Sequence, residues 1–442
     1  MIAKVKGTQD ILPAESGRWQ DLERVIANVS AIYNFKEIRT PMFEASELYH
    51  RGVGETTDIV KKETYDFADR GERMLTLRPE GTAGVVRAVI ENKLYADPSL
   101  PLKYYYVGPM FRYERPQKGR QRQFHQFGGE ALGSLLPETD AEVIAYAVTT
   151  LRALRLPNVK VKLNSLGATA SKLQYRDRLI GYLEPVVAGL CPDCQARFRE
   201  NPLRVLDCKF DRENPILVNA PKPLDDLNEA DALHFAKVKG YLDAMHIDYV
   251  VDKSLVRGLD YYTHTVFELE ADLPSLGAQA TLGGGGRYND LVESLDGPAF
   301  PAVGFAFGME RLLLALESVD QGKRDESVHC FVIALGDVAK PKAMELMTGL
   351  RHGGLIVDAD FMDRPLKGQF KQAERLGAAF TVILGETEVA SGTVNVKNAA
   401  TGVQETIPAA NLYHYLIEAF RAMEHHCDGS CDGSCGDGCD CQ

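Results

Sequence analysis

Residues 111 to 128, FRYERPQKGRQRQFHQFG, bring Arg112, Arg115, Lys118, Arg120 and Arg122 into one short segment. Guanidinium groups present planar forks of donors that match phosphate and carboxylate oxygens, so this spacing suits a ligand with several anionic oxygens. Arginine used for solubility on an exposed strand would give the same pattern. In TLRPEGTAG, Pro79 and Gly81 bracket Glu80 before a helical pattern, where a carboxylate either binds an ammonium group or favours the helix dipole. VRGLDYYT supplies Arg257, Asp260, Tyr261 and Tyr262; under strict alternation Arg257 and Tyr262 share a site only if the chain turns at Gly258. In GMERLLLAL, Arg311 falls in the first turn of a helix, against the positive end of the dipole. That is unfavourable unless an anion lies nearby or the side chain runs out to solvent.

The basic segment stands out because the chain is acidic. Its 442 residues carry 62 acidic against 50 basic groups, a formal charge of -12, which argues against nonspecific DNA binding but leaves RNA on a local patch open. Apolar and charged fractions of 45% and 25% fit a globular chain of two or three domains. MIAKVKGTQDILP has no signal-peptide core and no run is apolar enough to span a bilayer, so a cytoplasmic location is expected. Cys191 and Cys194 form a C-x2-C with Cys208 further on, three potential ligands where structural zinc takes four. Five of nine cysteines crowd the last 16 residues, so Cys427, Cys431, Cys435 and Cys439, with His425 and His426, are candidate zinc ligands on a low-complexity tail over 423–442. Repeat expansion would give the same spacing.

The elements that position these groups follow from periodicity. After Pro13, Trp19, Leu22, Val25, Ile26 and Val29 fall at helical spacing. KYYYVGPMF, a Pro/Gly turn and RQRQFHQFGGEAL read as a β-hairpin with a basic tip. Period two puts Arg120, Arg122, Phe124, Gln126 and Glu130 on one face of its second strand, and Arg112 with Glu114 on one face of the first. Residues 168–250 read as a mainly helical insertion. Gly283 to Gly286 lack the ending of a phosphate loop; in a strand they admit a ligand close to the backbone or mark a bend. A linker near 319–327 closes a first domain over 1–322, and a β-α-β-α-β pattern follows over 328–422. There Lys367, Lys371 and Arg375 recur every four residues on a helix, as a solvated face or an RNA contact.

KGTQDILP, TLRPEGT, FRYERPQKGRQRQFHQFG, RGLDYYT, GGGGRYNDL and AVGFAFGMER, in this order, resemble the bacterial histidyl-tRNA synthetase family from about residue 4 to 422. The resemblance implies an α+β catalytic domain, a class II antiparallel sheet flanked by helices with a helical insertion, followed by an α/β anticodon-binding domain. It implies a homodimer with FKEIRTPMFE, around Pro41, at its interface, and the joining of histidine to tRNA(His) with ATP and Mg2+. By the same resemblance Arg112, Arg257 and Arg311 are catalytic. Arg112, Glu114, Arg120 and Arg311 bind ATP. Glu80, Thr82, Gln126, Glu130, Arg257, Tyr261 and Tyr262 bind histidine, and Arg115 and Gln117 meet the tRNA acceptor end. Asn289 departs from the family, which more often has Asp there, and no part of the pattern matches the tail. The noncatalytic regulatory subunit of ATP phosphoribosyltransferase resembles the same core but lacks the C-terminal domain. A class II synthetase for another amino acid is disfavoured by RGLDYY and Glu130.

Overall fold

The computed structural model describes residues 2–54, 57, 59–208, 210–276, 280–319 and 327–427, without the side chains of 423–427. The zinc reading for Cys427, Cys431, Cys435 and Cys439 lies outside these residues and side chains. The chain divides into two compact units, Met1–Gly322 and Lys323–Gln442.

In the first unit the described strands are β1 (Lys36–Glu37), β2 (Phe43–Ala45), β3 (Tyr65–Ala68), β4 (Met74–Leu77), β5 (Leu102–Phe111), β6 (Gln123–Leu132), β7 (Val159–Ser165), β8 (Tyr249–Val251), β9 (Thr263–Ala271), β10 (Thr281–Arg287) and β11 (Ala302–Gly308). The main sheet runs β1-β5-β6-β11-β10-β9-β7-β8, and β2-β4-β3 form a small separate sheet. The inner pairings of the main sheet are antiparallel, while its edges, β1 with β5 and β7 with β8, are parallel. The centre of the sheet is thus antiparallel, as the class II resemblance implied, with one parallel pairing at each edge. A parallel neighbour needs a long crossover, and helical segments between β7 and β8 provide one.

Alternation along β6 assigns its two faces. Phe127 and Ala131 join Phe267, Phe305 and Phe307 in a core under the helices Pro13–Ile32, Pro137–Ala153 and Glu229–Ala244. Gln126, Gly128 and Glu130 thus point the other way, where the helix Thr82–Glu91 packs through Val85, Val86 and Val89. Within 168–250, a small separate core forms around Tyr175, Leu179, Leu183, Leu190, Val205 and Leu217. The helix Glu229–Ala244 instead buries Phe235, Val238 and Leu242 in the main core.

The second unit holds β12 (Cys330–Ala334), β13 (Val357–Ala359), β14 (Phe380–Leu384), β15 (Thr393–Asn398) and β16 (Gln404–Pro408) in the order β13-β12-β14-β15-β16. The first three are parallel, with the helices Ala339–His352 and Leu366–Arg375 as crossovers, and β15 and β16 add an antiparallel hairpin. Lys367, Lys371 and Arg375 are all exposed on the second of these helices. No helix among the described residues is long and apolar enough to cross a membrane.

Candidate active site

β5 and β6 pair from Leu102 opposite Leu132 to Phe111 opposite Gln123, so the strands end just short of the basic residues. Arg120 and Arg122, expected on the face of the second strand, lie in the tip, and Arg112 and Glu114 follow the end of the first. The cause is the N-terminal segment: Gly7 O accepts from the N–H of Arg122 at 2.7 Å and of Gln123 at 3.1 Å, which diverts the chain at the strand's start. The Arg122 guanidinium stacks 3.8 Å over the Tyr113 ring. Arg115 and Gln117 are exposed at the tip, and Gln117 bridges Arg120.

Behind the hairpin lies a cavity of about 1210 Å3. Its wall includes Glu80, Thr82, Gln126, Tyr261 and Tyr262, together with Arg112, Glu114, Arg120, Arg257 and Arg311. Arg115 and Gln117 are not part of it. Glu130 sits one layer back: its Oε1 accepts from the Thr82 hydroxyl at 2.6 Å and its Oε2 from the Tyr288 hydroxyl at 2.5 Å. Sequence reading missed Tyr288, although it lies two residues after the glycine run.

Each group is set by its element. Glu80, on the turn between β4 and the helix Thr82–Glu91, accepts from the N–H groups of Thr82 and Ala83, both at 2.7 Å. It caps that helix and also faces the cavity, so the two readings of this carboxylate coexist. Residues 252–262 are a loop that bends at Gly258, which lets Arg257 and Tyr262 line one space. Lys172 Nζ holds this loop through Asp260 O at 2.6 Å and Tyr262 O at 2.9 Å. Arg257 pairs with Glu268 of β9, while its Nε is buried without a hydrogen-bond partner among the described residues. Arg112 Nε donates to Pro79 O at 2.8 Å. Gly283 to Gly286 pair in regular register with both β9 and β11, while the β9 pairing shifts register on either side of them. A Cβ on Gly284 would lie 3.0 Å from the Arg257 guanidinium, and one on Gly286 would lie 2.9 Å from the Tyr262 ring. These glycines make room for the site's own side chains. Asn289 Oδ1 accepts from Arg287 at 3.3 Å, and Arg287 forms a fully buried ion pair with Asp140. Burial pushes the Asp140 carboxyl up, but Arg287 and His234 outweigh it and hold it at about 2.

The electrostatics of the cavity are divided. Arg311 is held below its ordinary range by burial and by the nearby charge of Arg120, so an anion between the two would relieve both. Opposite in sign, burial raises the Glu80 carboxyl, and it raises Glu130 to about 8 against the bonds from Thr82 and Tyr288. Gln126 Oε1, in the cavity wall, is buried with no hydrogen-bond partner among the described residues, which leaves it able to meet a ligand or water. Cys191, Cys194 and Cys208 also come together, and Asp211 joins them.

The raised Glu130 has a measurable consequence. The folded protein keeps a proton that the unfolded chain loses above 4.5, so this group's contribution to stability is most favourable below 4.5 and is lost as pH rises to about 8. Glu130→Gln removes that dependence. Its melting temperature, relative to the parent, is expected to climb between those two pH values and level off above them. A constant difference across the range would place Glu130 in an ordinary solvated setting.

Comparison with known proteins adds lineage to this geometry. A family profile described as histidyl-tRNA synthetase matches residues 7–174 and 202–312, and one described as anticodon binding domain matches residues 329–419. A histidine–tRNA ligase of Staphylococcus aureus strain JH9 is 49% identical over 419 residues, covering 94% of this chain and 99% of its own. The crystal structure of apo S. aureus histidyl-tRNA synthetase superposes with a TM-score of 0.81 at 43% identity, covering 94% of this chain and 100% of that one. A histidyl-tRNA synthetase from Nostoc sp. PCC 7120, 21% identical and covering 95% of this chain and 99% of its own, shares the fold with a TM-score of 0.66.

Proposed function

Because the chain belongs to the histidyl-tRNA synthetase family and is a histidine–tRNA ligase, we propose that its large cavity activates histidine with ATP through the residues that line it. The histidine carboxylate attacks the α-phosphorus of ATP, taken as its Mg2+ complex, and pyrophosphate leaves. The tRNA 3′-terminal hydroxyl then attacks the carbonyl of the histidyl-adenylate, and AMP leaves. The observation that carries this reading is the division of the cavity into a cation-rich set, Arg112, Arg120, Arg257 and Arg311, and a set of buried carboxylate, amide and phenol groups.

Arg112 and Arg257 grip the α-phosphate from two sides and stabilise the charge that develops there. Arg311 holds the γ-phosphate, which supplies the anion that its helix position and the nearby Arg120 call for. Glu114 and Arg120, an ion pair at 3.3 Å, flank the nucleotide. Glu80, Thr82 and Gln126 hold the α-ammonium group. Tyr262 and Glu130 read the imidazole, with Tyr261 packed behind Tyr262 at 4.8 Å between ring centroids. Each Glu130 oxygen accepts one side-chain bond, and even the protonated carboxyl keeps acceptor capacity beyond these two bonds, so an imidazole N–H has room to join.

Arg115 and Gln117, exposed on the tip, meet the tRNA acceptor end, and the second unit binds the anticodon region, with Lys367, Lys371 and Arg375 as phosphate contacts. Exposed Met42, Phe43, Phe67 and Met74 around the small β2-β4-β3 sheet support a homodimer joined near Pro41. The place of work is the cytoplasm, where tRNA and ATP are found. The decisive assay is ATP–pyrophosphate exchange with each of the twenty amino acids and Mg2+. Exchange is expected with histidine alone. Comparable exchange with proline or threonine, or none at all, overturns the assignment of this cavity.

A further inference from the structure

We propose that Cys191, Cys194, Cys208 and Asp211 bind one structural Zn2+ that ties the inserted helical segment together beside the active-site cavity. The spacing is that of two knuckles, C-x2-C and C-x2-D, thirteen residues apart. Paired knuckles of this kind are a zinc signature, and the three cysteines alone are one ligand short of it. The fold supplies the fourth. One ligand atom from each of the four residues lies within 4.8 Å of all the others.

The distances agree with a tetrahedron. Zn–S bonds of about 2.3 Å at tetrahedral angles separate two sulfurs by roughly 3.8 Å, and Zn–O of about 2.0 Å puts sulfur and oxygen roughly 3.5 Å apart. Cys191 Sγ and Cys208 Sγ are 3.7 Å apart, and Cys208 Sγ lies 3.8 Å from Asp211 Oδ2. A disulfide would need about 2.05 Å between sulfurs and would use neither Cys194 nor Asp211. Backbone donors already stand where ligand charge would build. The Asp211 N–H points at Cys208 Sγ at 3.4 Å, and the Cys191 N–H orients Asp211 Oδ2 at 2.8 Å. On binding, the three thiols release their protons to solvent and the metal takes three thiolates and a carboxylate, leaving two net negative charges in a partly buried site, which the backbone N–H groups beside the ligands partly offset.

The site also has structural work to do. The apolar core around it is small, built from residues such as Tyr175, Leu179, Val205 and Leu217, and a segment of this size gains much of its stability from a metal staple. Cys208 itself lines the large cavity together with Arg204, Asp207, Phe210 and Arg212. Zinc would therefore fix the cavity wall that the insertion contributes.

The tail also carries thiols, so the test uses the full-length chain with Cys427, Cys431, Cys435, Cys439 and Cys441 all replaced by serine. After incubation with Zn2+ under reducing conditions and removal of free metal, elemental analysis is expected to find one zinc per chain. Replacing Zn2+ by Co2+ should give the intense absorption of tetrahedral thiolate coordination, a reading that needs no further variant. Adding Cys194→Ser is expected to cut retained zinc below about a tenth. Asp211→Asn, which keeps all three thiolates, is expected to weaken zinc by about tenfold or more in chelator competition. The proposal is overturned if the full-length chain with the serine-substituted tail retains no metal, if Cys194→Ser leaves its zinc content unchanged, or if freshly reduced protein re-forms a Cys191–Cys208 disulfide in the presence of Zn2+.

Discussion

Arg257→Ala is expected to lower the rate of histidine-dependent ATP–pyrophosphate exchange about 10²- to 10³-fold at saturating substrates, the effect of deleting one donor aimed at developing charge, or about 2.7–4 kcal/mol. The loop that carries Arg257 is fixed by Lys172, and Gly284 keeps β10 clear of its guanidinium, so the group is held ready before ATP arrives. Preorganised charge of this kind acts on the transition state more than on the bound ground state. The loss should therefore fall mainly on kcat, with a smaller rise in the KM for ATP. Arg257→Lys restores charge without the planar fork and should recover only part of the rate. Because truncation leaves Glu268 without its partner, Glu268→Gln is the control. An unchanged kcat in Arg257→Ala would remove this residue from the chemical step.

Much of this site was legible because its residues break local rules. Arg311 at the start of the helix Met309–Leu316 opposes the dipole, and the structure places it half-buried beside the charge of Arg120 on the cavity wall. Period two along β6 brought Gln126 and Glu130 to one face, and the register with β5 and β11 keeps that face away from the phenylalanine core. The fold class followed from the motif order, and the family assignment agrees with it.

What was not legible depends on partners far away in sequence. The start of β6 is set by Gly7, more than a hundred residues upstream, so alternation alone ran the strand back through Arg120 and Arg122. Tyr288 acquires its role only when β10 and β11 bring it beside Glu130. Asp211 was not singled out in the sequence, because its closeness to the three thiols appears only once the chain folds back. Parallel edges on the main sheet likewise come from long connections rather than from anything in the two- and three-residue strands themselves. The β15–β16 hairpin also lies beyond the β-α-β-α-β pattern read over 328–422, although TVNVKN alternates; Gly402 adopts a φ of +71° in the turn beyond it.

Gly304→Ala should disable histidine activation while leaving the ATP-gripping arginines in place. Gly304 lies directly opposite Glu130 where β11 pairs with β6, and its missing side chain is the space the carboxylate occupies. A Cβ there would fall 1.6 Å from Glu130 Oε2 and 2.8 Å from the Gly129 carbonyl oxygen, so the Glu130 side chain must leave its position. Its bonds to Thr82 and Tyr288 go with it, and the two groups proposed to face histidine, Glu130 and Thr82, lose their alignment together. A site built to hydrogen-bond its substrate discriminates by about 10⁴–10⁵ when those bonds are satisfied, so their disruption is expected to lower kcat/KM for histidine by at least about 10³. The KM for ATP should change little by comparison. Folding is monitored by thermal melting, and Glu130→Ala added to Gly304→Ala removes the side-chain part of the clash. That double variant should regain stability without regaining activity, because the carboxylate is then absent rather than displaced. If Gly304→Ala alone binds and activates histidine like the parent, Glu130 does not read the imidazole.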